Sequence, residues 1–125
     1  MDQEIIKKMV GQKIDSICLS PDKKHIVFNF KNGLSIHGSV YGDCCSNSWI
    51  EHLEMPENIE GSTLLGVQDS DSIKQNHPEH DEENGGDSIE VYNTSFKTDR
   101  GEIILEYRNS SNGYYGGSLE LQEKV

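Results

Sequence analysis

The stretch from His25 to Tyr41 constrains the fold more than any other part of this chain. Ile26, Phe28 and Phe30 recur at every second position, the spacing that places side chains on one face of an extended strand. Asn32-Gly33 follows, a pair that tolerates the positive φ angles of a tight hairpin. Leu34 to Tyr41 then reads as the returning strand. A chain that contains such a unit builds antiparallel sheet.

The remaining segments extend the pattern. Residues 2 to 10 predict a short helix with Ile5, Ile6, Met9 and Val10 on one face and Gly11 at its end. Lys13 to Leu19 alternates as a strand, and Ser20-Pro21-Asp22-Lys23-Lys24 is a proline-preset turn. Ser46, Asn47 or Ser48 can cap a helix from about Trp49 to Glu54, stopped before Pro56. Such a helix entry would also offer a seat for an anion. Leu64-Leu65-Gly66-Val67 is a short buried stretch leading into a strand. Ser88 to Thr98, Glu102 to Arg108 and Tyr114 to Gln122 read as three strands in a meander, with turns at Asp99-Arg100-Gly101 and Asn109 to Gly113. The expected class is α+β, mostly antiparallel β, with about seven strands and one or two short helices.

With 125 residues, the chain forms one domain, 1–125, large enough for a core without disulfide or metal staples. The net charge of −11 argues against coating duplex nucleic acid, which needs a basic face. Eight carboxylates and one lysine fall between residues 68 and 90, so the rest carries only −4 and leaves room for a local basic pocket. Residues 75–87 read as a mobile acidic loop. No export segment or apolar run of membrane-spanning length is visible. Three cysteines, two of them adjacent, fit a reduced, cytoplasmic protein.

Two motifs carry chemistry beyond folding. The first is Asp43-Cys44-Cys45-Ser46-Asn47-Ser48-Trp49-Ile50-Glu51. Zinc at Cys44, Cys45, His37 and His52 is disfavoured, because adjacent cysteines point away from one another. A nucleophilic Cys45 assisted by Asp43 and His52 lacks an oxyanion loop beside it. The histidines and acids around His77 and His80 lack a cation-loop spacing. The second motif runs from Tyr107 to Gly117. Arg108 suits a phosphate, Asn109 and Asn112 suit polar edges, Tyr114 and Tyr115 supply flat rings, and Gly116-Gly117 permits close approach. No Walker, GxGxxG, HExxH or GxSxG signature is present. Binding without turnover is the expectation, with no catalytic residues, metal or cofactor assigned. The alternatives are a nucleotide-acting enzyme built on the Cys/His cluster and an acidic adaptor for a host protein.

Together, Asp43-Cys44-Cys45-Ser46-Asn47-Ser48-Trp49-Ile50-Glu51, Leu64-Leu65-Gly66 and Ser111-Asn112-Gly113-Tyr114-Tyr115-Gly116-Gly117-Ser118 resemble a small domain family common in phages and prophages. The similarity spans roughly Gly11 to Leu121. The chain also resembles the phage anti-Thoeris proteins that act as signal sponges. That resemblance implies capture, without degradation, of the cyclic ADP-ribose isomer made by a bacterial TIR-domain enzyme. It implies a homo-oligomer, dimer or higher, with pockets between subunits, in the cytoplasm of the host bacterium. Some such proteins also capture cyclic oligonucleotides at a second site. Carried onto this chain, Arg108 becomes the phosphate partner, helped by Arg100 or Lys31. Asn109, Asn112 and Asn93 become polar contacts, and Phe96, Tyr114 or Tyr115 stacks on adenine. Val91 and Asn93 stand where relatives often carry aromatics, and the acidic segment is longer than expected.

Overall fold

The computed structural model describes residues 2–42, 47–69, 73–75, 88–111 and 117–124. Asp2 opens the helix α1 (Gln3–Met9), its carboxylate accepting from the backbone N–H groups of Glu4 and Ile5. Such a cap satisfies donors that the first turn leaves free. Glu4 in the first turn and Lys7 and Lys8 in the last complement the helix dipole. Ile5 and Met9, one turn apart, are the helix's buried face.

Nine strands follow among the described residues: β1 (Ile14–Leu19), β2 (His25–Phe30), β3 (Ser35–Gly42), β4 (Asn47–Glu54), β5 (Leu64–Asp69), β6 (Ile73–Gln75), β7 (Ser88–Thr98), β8 (Gly101–Ser111) and β9 (Gly117–Lys124). All described pairings are antiparallel, and the mostly β class read from the alternation holds. One sheet has the order β1-β2-β3-β9. The second has the order β4-β8-β7-β5, and β6 pairs with β7 beyond β5. The two sheets share one core, built from Ile26, Phe28, Ile36 and Leu121 on one side and Ile50, Phe96, Ile103 and Leu105 on the other. The Phe28 and Phe96 rings meet across it with centroids 4.7 Å apart.

The hairpin expected at Asn32-Gly33 is present, with a division of labour. Gly33 alone takes a positive φ, +92°, while the Asn32 side chain accepts from the Leu34 N–H at 3.0 Å. At the β1–β2 turn, Lys23 adopts φ +60°.

Three expectations are corrected. The helix from Trp49 to Glu54 is the strand β4, so no helix N-terminus forms there and the anion seat disappears. Ser48 and Ile50 are buried, and Ile50 lies opposite Tyr107 of β8. A bulge then shifts the register between Ile50 and His52, bringing Leu53 opposite Leu105. Inward spacings of two and then three residues imitate a helical period. Leu64 is fully buried, but its neighbour Leu65 is 57% exposed, as strand alternation requires. The C-terminal meander ends after β8: β9 leaves β8 and pairs with β3 in the other sheet. That choice is nonlocal and buries Leu119 and Leu121 in the shared core.

Candidate functional site

Strand register brings the two sequence motifs to one end of the molecule. The first segment leaves β3 at Gly42 and enters β4 at Asn47, crossing between sheets. The second leaves β8 at Ser111 and enters β9 at Gly117, crossing back. Gly42 pairs with Gly117, and Asn47 pairs with Ser110. The flanks of both crossovers are therefore cross-strand neighbours. Ser88 pairs with Ser111, so β7 begins at the same end. Asp43, Cys44, Cys45, Asn112, Tyr114, Tyr115 and residues 76–87, with His77 and His80, lie outside the described residues.

Between the sheets at this end is a buried polar seam. Asn109 is fully buried and Ser48 nearly so. The Ser48 hydroxyl donates to Asn109 Oδ1 at 2.8 Å and toward the Tyr41 carbonyl at 3.1 Å. The Gly117 N–H donates to Tyr92 Oη at 3.1 Å, and that hydroxyl donates to the buried Glu90 carboxylate. Strands from both sheets are thereby tied together where the motif segments depart. Buried polar groups persist only when satisfied, and this seam links them across five strands, β3, β4, β7, β8 and β9.

Tyr92 and Tyr107, opposite one another in register, stack with centroids 4.9 Å apart and planes 4° from parallel. Burial, then the negative charge of Asp69, then Tyr92 push the Tyr107 phenol up to about 12, while a backbone hydrogen bond from Leu119 acts in the opposite direction. The sign follows from linkage. A phenol with its folded pKa raised above the ordinary 10 contributes stability below pH 10, and that contribution is lost as pH climbs toward 12. Stability measured by urea denaturation should fall over this window. The slope should be smaller in Tyr107→Phe, and an equal slope in both proteins would show that this group does not control it.

The outer face of the second sheet carries a different cluster. Trp49 lies opposite Arg108 in register. The Trp49 indole N–H donates to Glu51 Oε2 at 2.8 Å, and Glu51 Oε1 lies 3.9 Å from Arg108 Nη1. Arg108 Nε and Nη2 each lie 3.1 Å from Glu106 Oε2. The Arg108 and Glu106 side chains are each only 20% exposed. Glu106 and Arg108, two residues apart on a strand, share a face by pleat alone. Asn93 lies opposite Glu106.

These positions divide the expected binding residues. Arg108 and Asn93 share the outer face near the crossovers. Asn109 was expected beside Arg108 in a turn, but β8 continues to Ser111. Adjacent strand residues point to opposite faces, so Asn109 is sealed in the seam. Phe96 is fully buried against Phe28 and has no free face for an adenine. Arg100 donates to the backbone carbonyls of Asn58 and Glu60 at 2.9 and 2.8 Å. Lys31 is paired with Asp15 and Glu60, each at 3.1 Å. Both therefore belong to the far end: Arg100 precedes Arg108 by eight residues, about 26 Å at strand rise, and Lys31 meets the same Glu60 as Arg100. They cannot help Arg108 within one chain.

His37 and His52 sit on different sheets, on β3 and β4. Burial, then Lys124, then His25 lower the His37 pKa. Among the described residues no cluster of three or more His, Cys, Asp or Glu could hold a metal, and no pocket is enclosed. No described helix is long and apolar enough to cross a membrane. Sequence reasoning missed Glu106 beside Arg108, and Glu90 and Tyr92 in the seam; Trp49, Glu51, Ser48 and Gly117 stood in the two motifs, but not with these partners. The i, i+2 spacing of Glu106 and Arg108 was the available signal for Glu106.

No curated protein and no solved structure matches the chain. A family model does, over residues 5–121, which takes in both motifs, β1 to β8 and the first part of β9. The chain belongs to the family described as a domain of unknown function, DUF7448.

Proposed function

We propose that this protein is a phage anti-defence sponge that holds a cyclic ADP-ribose-type signal nucleotide without degrading it and so silences Thoeris immunity. What carries the reading is the convergence of the two motif segments. Residues that lie about seventy positions apart in sequence flank adjacent crossovers, with Gly42 paired to Gly117 and Asn47 paired to Ser110. The resemblance to sponge proteins rests on those same segments. Arg108 and Asn93 are the described residues that remain candidates for ligand contact, and Asn109 acts from inside as part of the seam. The functional unit in this reading is a homo-oligomer in the cytoplasm of the infected bacterium, with the pocket completed by a second copy. Nanomolar retention corresponds to about −12 kcal/mol, within reach of a ligand enclosed between protomers and held by charge-assisted contacts.

The test is a mass balance. Purified protein is mixed with the TIR-derived isomer, filtered free of unbound ligand and heated. Depletion of the filtrate and full recovery of intact isomer on heating are expected. A changed product would point to an enzyme, and an undepleted filtrate would remove the sponge reading altogether.

A further inference from the structure

We propose that Glu106 is a built-in competitor for the ligand's phosphate, holding Arg108 in place until a phosphate displaces it. This deepens the sponge reading and rests on it. One carboxylate oxygen of Glu106 receives two guanidinium nitrogens of Arg108 at 3.1 Å each. A single oxygen lodged between Nε and Nη2 occupies the edge that a phosphate oxygen would use. The opposite side of the guanidinium is covered more loosely, by Glu51 at 3.9 Å. Glu51 is itself anchored by the Trp49 indole at 2.8 Å, so it cannot follow Arg108 far. Two carboxylates facing one guanidinium leave the empty cluster with one net negative charge. An anion that takes the Nε/Nη2 edge of Arg108 must displace Glu106, whereas a neutral compound has no charge with which to replace that carboxylate. Glu106 is thus a specificity-determining and positioning residue. It aims Arg108 along the outer face and sets a threshold that weakly charged nucleosides do not cross.

The competition has a sign that a purely structural pair would not share. Using the purified cyclic ADP-ribose isomer as probe and calorimetric titration of the full chain, Glu106→Gln should bind about two- to fivefold more tightly than wild type, the scale of a lost partly exposed ion pair. Arg108→Gln should bind at least about tenfold more weakly, as loss of a charge-assisted phosphate contact implies. Glu51→Gln should change affinity less than Glu106→Gln. Affinity in Glu106→Gln that is unchanged or weaker, with wild type still binding, overturns the competitor role and leaves the sponge reading standing. Absence of binding by wild type overturns both. If Glu106→Gln does not fold, Glu106→Asp replaces it. The shorter carboxylate competes less well, and its failure to tighten binding is equally decisive.

Discussion

Phe96→Ala should lower the stability of the folded chain by about 3–5 kcal/mol, the usual range for truncating a buried phenylalanine. The ring is fully buried and its centroid sits 4.7 Å from that of Phe28 in the facing sheet. Removal opens a void between the sheets and deletes an aromatic pair worth about 0.5–1.5 kcal/mol of that total. For a domain with a typical margin of about 5–15 kcal/mol, such a loss shifts the midpoint of denaturant unfolding far enough to measure in one experiment. A milder variant separates core from ligand roles. Phe96→Leu keeps most of the volume, so it should fold and bind ligand as wild type does. A stability loss below about 1 kcal/mol for Phe96→Ala, smaller than any core truncation of this size, would mean that the ring does not bridge the sheets.

Gly117→Ala is the second large effect. A Cβ at this position would lie 2.9 Å from Ser48 Oγ, 3.0 Å from Asn109 Cβ and 3.3 Å from the Tyr41 carbonyl oxygen. None of these atoms can retreat easily. Ser48 Oγ is hydrogen-bonded to Asn109 and Tyr41, and the Asn109 and Tyr41 positions belong to paired strands. Overpacking of this kind costs about 1–3 kcal/mol. It also pushes β9 off the seam and moves the crossover flanks, so ligand uptake should weaken along with stability. Gly66→Ala is the matched control, because a Cβ there meets nothing within 4 Å. Equal melting temperatures for the two variants would show that the close approach at Gly117 is not maintained in solution.

The sequence was legible where structure is local. Strict alternation gave β2 and β3 in advance, and the Asn-Gly pair gave their turn. The single class of antiparallel β followed from the same pattern. Errors arose where a tertiary feature imitated another signal. The bulge in β4 spaces Ser48, Ile50 and Leu53 by two and then three residues, which reads as a helix behind a cap of serine and asparagine. Asn109 reads as a turn former because asparagine favours turns. It is instead a satisfied interior residue, and its partner Ser48 is sixty-one positions away. The return of β9 to β3 leaves no local trace at all. The same limits explain the site. Arg108 was visible as a cation near an aromatic and glycine-rich run. Its contacts with carboxylates were not legible, because Glu51 of the first motif reaches it from another strand and Glu106 was read as an ordinary strand residue.

In the proposed function, the crossover end of the sandwich receives the nucleotide. Titrating isotope-labelled protein with the cyclic ADP-ribose isomer and following backbone amide shifts tests it directly. The largest changes are expected at Ser48, Trp49, Arg108 and Gly117, with Lys31, Glu60 and Arg100 unmoved at the far end. Changes centred on Lys31 and Arg100, or none at saturating ligand, would contradict it.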